Sequence, residues 1–278
     1  MFIMLAEELI VVRGGGDMAT AVVHRLWRAG FHVLVLECAE PSAIRRQVAV
    51  SEAVYEGEAR VEDLTALRIH AVEEVRAVWE KGCVPVLIDP QGACISALHP
   101  EVVVDAMIAK RNLGTHMSMA PLTIALGPGF CAGADVHAVV ETMRGHNLGR
   151  IIMQGYAAPN TGIPGNIGGF AAERVIHAPC EGKLMSVRRI GDYVLAGETI
   201  AVIRGEHEVS VPASISGLIR GLIRDGFAVT KGFKIADIDP RREELANCFT
   251  ISDKARCIAG SVLELVCGHM IRKNAAAG

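Results

Sequence analysis

An aliphatic run, Leu9–Arg13 (LIVVR), breaks on three consecutive glycines, and a helix-patterned stretch from Met18 to Ala29 follows at once. After Gly30 comes a second aliphatic run, Phe31–Glu37 (FHVLVLE). Strands that read apolar without alternation are covered on both faces, as in a parallel sheet. Glycine supplies the positive φ of a sharp turn, and a glycine after a helix stops it. The order strand, glycine turn, helix, strand is one βαβ unit, and it constrains the fold more than any other feature.

The rest of the first 153 residues extends the pattern. Residues 71–81 (AVEEVRAVWEK) predict an amphipathic helix stopped by Gly82. Val84–Ile88, Val102–Val104, Leu122–Leu126 and Arg150–Met153 predict further strands, and Gly133–Arg144 a helix closed by Gly145. The expected fold class is α/β, a Rossmann-like, mostly parallel sheet with helices. Residues 155–173 are rich in glycine and proline and predict a long loop.

Beyond that loop lies an internal repeat. Gly182, Gly191 and Gly197 recur as Gly217, Gly226 and Gly232, each 35 positions later (217−182, 226−191, 232−197). Two glycine-punctuated halves, 175–203 and 209–238, resemble the barrel-sandwich hybrid, or hammerhead, of biotinyl and lipoyl domains. The connecting hairpin, Arg204–Ser210, lacks the lysine such carriers modify, and Asp253-Lys254-Ala255 imitates a lipoyl motif outside the repeat. The helical stretch Ser252–Ile271, with Ser252 or Asp253 as its cap, is expected to pack back on the α/β domain. The expected domains are therefore 1–173 with 239–278, and an all-β module at 174–238.

Composition excludes several classes. The net charge is −3 and basic residues occur in pairs, which argues against nucleic acid. The start lacks a basic n-region, Glu7 and Glu8 interrupt its apolar run, and no run of about 18 apolar residues exists. The expectation is a cytoplasmic protein with no membrane partner. The eight cysteines form no CxxC pair and no zinc spacing, so no metal site is expected. A mean hydropathy of +0.33 is compatible with a homo-oligomer.

Gly14-Gly15-Gly16-Asp17-Met18-Ala19 fits G-x-G-x-x-A between strand and helix, and Glu37 ends the next strand. In a dinucleotide fingerprint the glycines admit a pyrophosphate to the helix start and the acid receives ribose hydroxyls. Asp17 sets a negative charge beside that phosphate position. Gly127 and Gly129, after another strand, form a second candidate phosphate nest. Lys110, Arg111 and Asn112 follow the strand at 102, where cations would meet phosphate, and Arg13, Asp89 and Asp105 lie near strand ends. Cys131, placed at the start of the expected 133–144 helix, is a weak candidate for a stabilised thiolate. His137 and Glu141, four apart on that helix, are weak candidates for an acid–base pair. No Ser-His-Asp arrangement or zincin motif is present, so no reaction is assigned.

Longer stretches carry a resemblance. RGGGDMATAVVHRLWRAGF (13–31), RRQVAVSEAVYEGE (45–58), VVVDAMIAKRNLGT (102–115), LGPGFCAGADVHAVVETMRGHNLGR (126–150) and FTISDKARCIAGSVLE (249–264) resemble the YqeB-type accessory proteins of selenium-dependent molybdenum hydroxylases. The resemblance implies a maturation role. The chain would bind the molybdenum cofactor, its molybdopterin cytosine dinucleotide form or another nucleotide, or a selenium donor. Its partners would be a molybdenum hydroxylase client and the maturation machinery. Selenium handling would call on a thiol, with Cys38, Cys94, Cys131 and Cys180 as candidates. An NAD(P)-dependent oxidoreductase and a non-catalytic scaffold are the alternatives.

Overall fold

The computed structural model describes residues 9–162 and 165–277, so Glu7, Glu8 and part of the 155–173 loop lie outside the described residues. Two compact units appear. One holds residues 9–41, Ala49–Asn160 and 251–277; the other holds Ser42–Val48 and the described part of Thr161–Thr250.

In the first unit the chain runs β1 (Leu9–Arg13), α1 (Asp17–Arg28), β2 (His32–Glu37), α2 (Ala53–Glu56), β3 (Glu58–Val61), β4 (Leu64–Ile69), α3 (Val75–Trp79) and β5 (Val84–Ile88). It continues through α4 (Ile95–Leu98), β6 (Val102–Asp105), β7 (Leu122–Leu126), β8 (Cys131–Ala132), β9 (Ala138–Val140), β10 (Ile151–Ile152) and β11 (Gly155–Tyr156). Nine strands form one sheet in the order β10-β9-β7-β6-β1-β2-β5-β4-β3. The inner seven are mutually parallel, while β3 and β10 run antiparallel at the edges. Its centre is aliphatic: Ile10, Val12, Leu34, Val35, Val103 and Ile124 are fully buried.

The second unit carries the repeat as β12 (Val175–His177), β13 (Gly182–Ser186), β14 (Tyr193–Val194), β15 (Thr199–Arg204), β16 (Glu208–Pro212), β17 (Gly217–Leu222), β18 (Ala228–Val229) and β19 (Lys234–Asp239). Two four-stranded antiparallel sheets result, β12-β19-β17-β14 and β16-β15-β13-β18. Each contains strands of both halves. The repeat is visible in the hydrogen bonds that cross between them. Gly191 N–H donates to Ile219 C=O and Gly226 N–H to Leu184 C=O, at 2.8 and 2.7 Å. Gly197 N–H donates to Ala213 C=O and Gly232 N–H to Ala178 C=O, both at 2.8 Å. All four glycines have φ between 79° and 97°, where an L side chain is strained.

The expected Rossmann-like sheet with a biotinyl/lipoyl-like barrel-sandwich hybrid gives way to this large mixed sheet with separate antiparallel sheets. A doubly wound sheet needs a helix at each parallel crossover. Here α1 supplies one, but α2 and α4 have four residues each and α3 five, and β6 and β7 are joined by a 3-10 turn at Met117–Met119. The helix expected over 71–81 shrinks to a 3-10 turn, Val72–Glu74, and α3. The helix expected over Gly133–Arg144 is replaced by turns and β9. The apolar run Ala138-Val139-Val140 fits either period. Pairing with β7 buries all three residues completely, which an exposed amphipathic helix would not do.

The carboxyl-terminal helix α5 (Asp253–Ala277) begins where expected, with the Ser252 hydroxyl accepting the Ala255 N–H. It buries Ala255, Ile258, Ala259, Val262, Val266 and Met270, a three-four spacing along one stripe, and packs against α1. This explains why α1 is buried on more than one face, with Ala19, Val22, Val23 and Leu26 all inaccessible. No helix among the described residues is long and apolar enough to cross a membrane. Leu26→Ala should destabilise the chain by about 2–5 kcal/mol, read as a lower urea midpoint; a change below 1 kcal/mol would mean that α1 is not clamped between two layers.

Candidate functional site at the carboxyl edge of the large sheet

Chain direction across the sheet reverses at β1. After β1 the chain moves through β2 to the β5 side, then returns to lay β6 on the other flank. Such a switch point opens a crevice at the carboxyl ends of the strands. Arg13, Glu37, Asp89, Asp105, Gly127 and Glu141 all lie at or just beyond those ends.

Arg13 is buried and points inward. Its Nη1 donates to Thr115 Oγ1 at 2.5 Å and its Nη2 to Pro90 C=O at 3.0 Å. The Thr115 hydroxyl donates in turn to Asp105 Oδ2 at 2.6 Å. Burial pushes the Asp105 carboxyl above its usual range, against the lowering effects of Thr115, the Met107 N–H and the Arg13 charge. Arg13 therefore ties the loops after β5 and β6 to the end of β1 and offers little charge to a ligand. Thr115 is itself held by Asn112, whose Oδ1 accepts the Gly114 and Thr115 N–H groups and whose Nδ2 donates to Thr115 C=O.

Two glycine turns grip the segment that follows β6. At Gly14, with φ 97°, a Cβ would sit 3.0 Å from Met107 Cα. At Gly129, with φ 107°, a Cβ would fall 2.6 Å from Arg111 N. The Gly127–Gly129 nest and the Lys110-Arg111 cations are thereby brought together, and both cations are exposed.

Glu37 does something other than wait for a ribose. Its Oε1 accepts the Gly15 N–H at 2.8 Å and its Oε2 the Cys38 N–H at 2.7 Å. The carboxylate braces the glycine turn from within. Over the same turn lies Ser51, whose N–H donates to Gly15 C=O at 2.9 Å. The Ser51 hydroxyl is fully buried and has no hydrogen-bond partner. Gly16, the residue preceding α1, is open: a Cβ there would meet nothing within 4 Å. Asp17, the first residue of α1, accepts the Met18 N–H at 3.0 Å. A half-buried helix start with an orphaned hydroxyl beside it fits recognition of a phosphate by neutral N–H and O–H donors.

The remaining candidates part company. Cys131 stands in β8, paired with Tyr156 of β11, and its N–H donates to Asp135 at 2.7 Å; no helix start supports its thiol. His137 precedes β9 and accepts the Thr123 N–H at 3.0 Å, whereas Glu141 follows β9 and accepts the Met143 and Ala158 N–H groups, both at 2.7 Å. They face opposite edges of the sheet, about 13 Å apart along a strand, and cannot act as a pair.

Sequence reasoning missed Ser51 and Thr115, which carry no motif. It also missed a cluster at the β3–β4 hairpin. His24 Nε2 lies 2.6 Å from Asp63 Oδ1 and 4.0 Å from Glu62 Oε2, and the three donor atoms fall within 4.8 Å of one another. Arg28 and Arg256 already face these carboxylates at 3.5 and 2.6 Å. Burial alone would raise the Glu62 carboxyl, but the Ile251 N–H and Arg256 bring it below its usual value. The cluster ties the hairpin to α1 and α5 with its charge balanced.

The chain thus combines a large mixed sheet, with glycine turns at the carboxyl ends of its parallel strands, and a separate unit of two antiparallel sheets. The chain is similar to YqeB of Escherichia coli (strain K12), 51% identical over 258 residues that cover 93% of this chain and 47% of that protein. It thus spans about half the length of that relative, and the likeness supports membership of the YqeB family. No family model matches. Among solved structures, the apo ectoine utilization protein EutE (DoeB) from Ruegeria pomeroyi is 13% identical with a TM-score of 0.26, covering 83% of this chain and 86% of that one. An aspartoacylase family protein from Mesorhizobium loti is 10% identical with a TM-score of 0.29, covering 85% and 86%.

Two measurements test this edge. Glu37→Gln turns one acceptor into a donor facing an N–H, and should cost about 1–3 kcal/mol in chemical denaturation; an unchanged midpoint would remove the brace. For Asp105 the folded pKa is raised, so its contribution to stability is full below about pH 4 and is lost as pH rises through the folded value. The stability of the parent relative to Asp105→Asn should therefore fall as pH rises above about pH 4; a flat or rising difference contradicts the assignment.

Proposed function

We propose that this chain is an accessory protein in the maturation of selenium-dependent molybdenum hydroxylases, binding the phosphate-bearing part of a molybdopterin dinucleotide or another nucleotide at the glycine turn before α1. The observation that carries the reading is the open Gly16 helix start beside the buried, unpartnered Ser51 hydroxyl. Lys110 and Arg111, exposed on the segment gripped by Gly14 and Gly129, supply the cations such a ligand attracts. The maturation context rests on the resemblance carried by the stretches named above. The client hydroxylase is the proposed partner, engaged by transient association.

Two thiols at this edge suit a supporting role better than nucleophilic selenium transfer. Burial and the adjoining Glu37 carboxylate push the Cys38 thiol up to about 11, and burial with Asp89 pushes Cys94 up to about 12. Neither is a thiolate at neutral pH. The oxidoreductase alternative loses its expected ribose acceptor, because both oxygens of Glu37 already hold the turn.

Calorimetric and thermal-shift titration of the full chain with molybdopterin cytosine dinucleotide, CTP, ATP, NAD and NADP tests the reading. A native-state ligand at a hundredfold excess over its Kd stabilises by about 2.7 kcal/mol. Stabilisation by the molybdopterin nucleotide is expected, and its loss in Gly16→Asp, where the side chain has room but brings a negative charge. Selective stabilisation by NAD or NADP would favour the oxidoreductase; no response to any of the five would leave a scaffold.

A further inference from the structure

One short stretch of chain serves both units. Pro41 and Ala49 belong to the first unit, and the residues between them, Ser42–Val48, belong to the second. There they extend a sheet. β14 pairs with β17 only at Gly217 and Leu218. Further along β17, the Leu222 N–H donates to Ile44 C=O and Arg46 Nε donates to Leu222 C=O, both at 2.8 Å. Arg45 Nη2 donates to the Asn247 and Thr250 carbonyls at 2.9 and 3.2 Å. Ile44 packs on the aliphatic core, and Gly221 admits its backbone: a Cβ there would lie 3.2 Å from Ile44 C=O.

The same stretch ends on the glycine turn before α1. Val50 N–H donates to Thr20 Oγ1 at 2.9 Å, and the Thr20 hydroxyl donates to Gly16 C=O at 2.9 Å. Ser51 N–H donates to Gly15 C=O at 2.9 Å, and a Cβ on Gly15 would lie 3.0 Å from Ser51 N. Ser51, with its unpartnered hydroxyl, stands only five positions after Arg46 (51−46).

The path between the two ends is stiff. Residues 42–52 (SAIRRQVAVSE) contain no glycine. Val48, Ala49, Val50 and Ser51 are all buried. Two turns tie the path to itself, Val48 N–H to Arg45 C=O at 3.0 Å and Glu52 N–H to Ala49 C=O at 3.2 Å. A flexible linker is glycine-rich and solvated. A packed stretch instead passes strain along, because close-packed interiors compress little.

We propose that Ser42–Ser51 is a strap through which the second unit positions Ser51 over the Gly14–Gly16 turn, so that seating Ile44 on Leu222 and filling the turn with a phosphate ligand reinforce each other. The proposal rests on the reading of that turn as a phosphate site. Arg46 and Gly221 are positioning residues, which touch the strap and not the ligand. Such coupling is reciprocal in binding free energy, so whatever tightens this edge of β17 also tightens the turn.

The test titrates the full chain with inorganic pyrophosphate by calorimetry. Gly221→Ala presses on Ile44 without changing any charge, and Arg46→Met removes the bond to Leu222 C=O. Both should weaken pyrophosphate at least about fivefold. Unchanged affinity in both variants would overturn the strap while leaving the phosphate reading of the turn intact. Weakening in Arg46→Met alone would report the lost charge and would overturn the strap as well. A second readout needs no variant and decides the matter if Gly221→Ala fails to fold. In the parent chain, saturating pyrophosphate should slow amide exchange at Leu222 more than at Gly226, whose N–H bonds Leu184 C=O within the repeat. Equal slowing at both is global stabilisation and refutes the coupling. No binding by the parent at about 10 mM would instead remove the phosphate reading of the turn, and the strap with it.

Discussion

A single buried guanidinium organises the carboxyl edge of the large sheet. Arg13 ends the central strand, where the chain reverses direction across the sheet, and its hydrogen bonds to Thr115 and Pro90 reach the loops after β6 and β5. Through Thr115 it communicates with Asp105, its register partner on β6. A charge so far from water is tolerated only with its hydrogen bonds in place. The loops after β5 and β6 are therefore positioned by what Arg13 requires. The glycine turns follow from the same constraint: Gly14 and Gly129 let the segment after β6 approach more closely than any side chain would allow.

How the crevice could attract an anion follows from where charge is and is not available. Arg13 faces inward, Glu37 braces the turn, and Asp17 accepts the Met18 N–H. The strand-end carboxylates are engaged in the same way, Asp89 by the Ala93 and Cys94 N–H groups and Glu141 by those of Met143 and Ala158. Charged groups here mostly hold loops. Lys110 and Arg111 differ in being exposed.

The central strand–turn–helix–strand was legible because period, glycines and length agreed over Leu9–Glu37. The repeat was legible too, since Gly191, Gly197, Gly226 and Gly232 occupy left-handed turns that only glycine adopts without strain. The architecture built on them was not. Ala138–Val140 is a buried strand in a segment whose spacing equally suits a helix, and the crossovers expected to be helical are mostly short turns. Inferring His137 and Glu141 as a pair failed with that helix, because four residues along a strand separate side chains instead of stacking them. Ser51 lay within an aliphatic run with nothing to mark it. Its importance comes from tertiary contact with Gly15, 36 residues away in sequence (51−15).

The two units are also unequal in time. The first is discontinuous: α5, which packs against α1, follows the whole of the second unit in the chain. Synthesis runs from the amino terminus, and domains commonly fold as units as they emerge. The second unit can close on its own contiguous repeat while the stripe of α1 that awaits α5 is still bare. During that interval the apolar surface around Val22 and Leu26 is open to other molecules. The charged tie of His24, Asp63, Glu62 and Arg256 then acts as a latch that can form only once the helix has arrived. Completion of the first unit thus waits on a segment that leaves the ribosome after the whole of the second, a constraint written into the connectivity and not into any one contact.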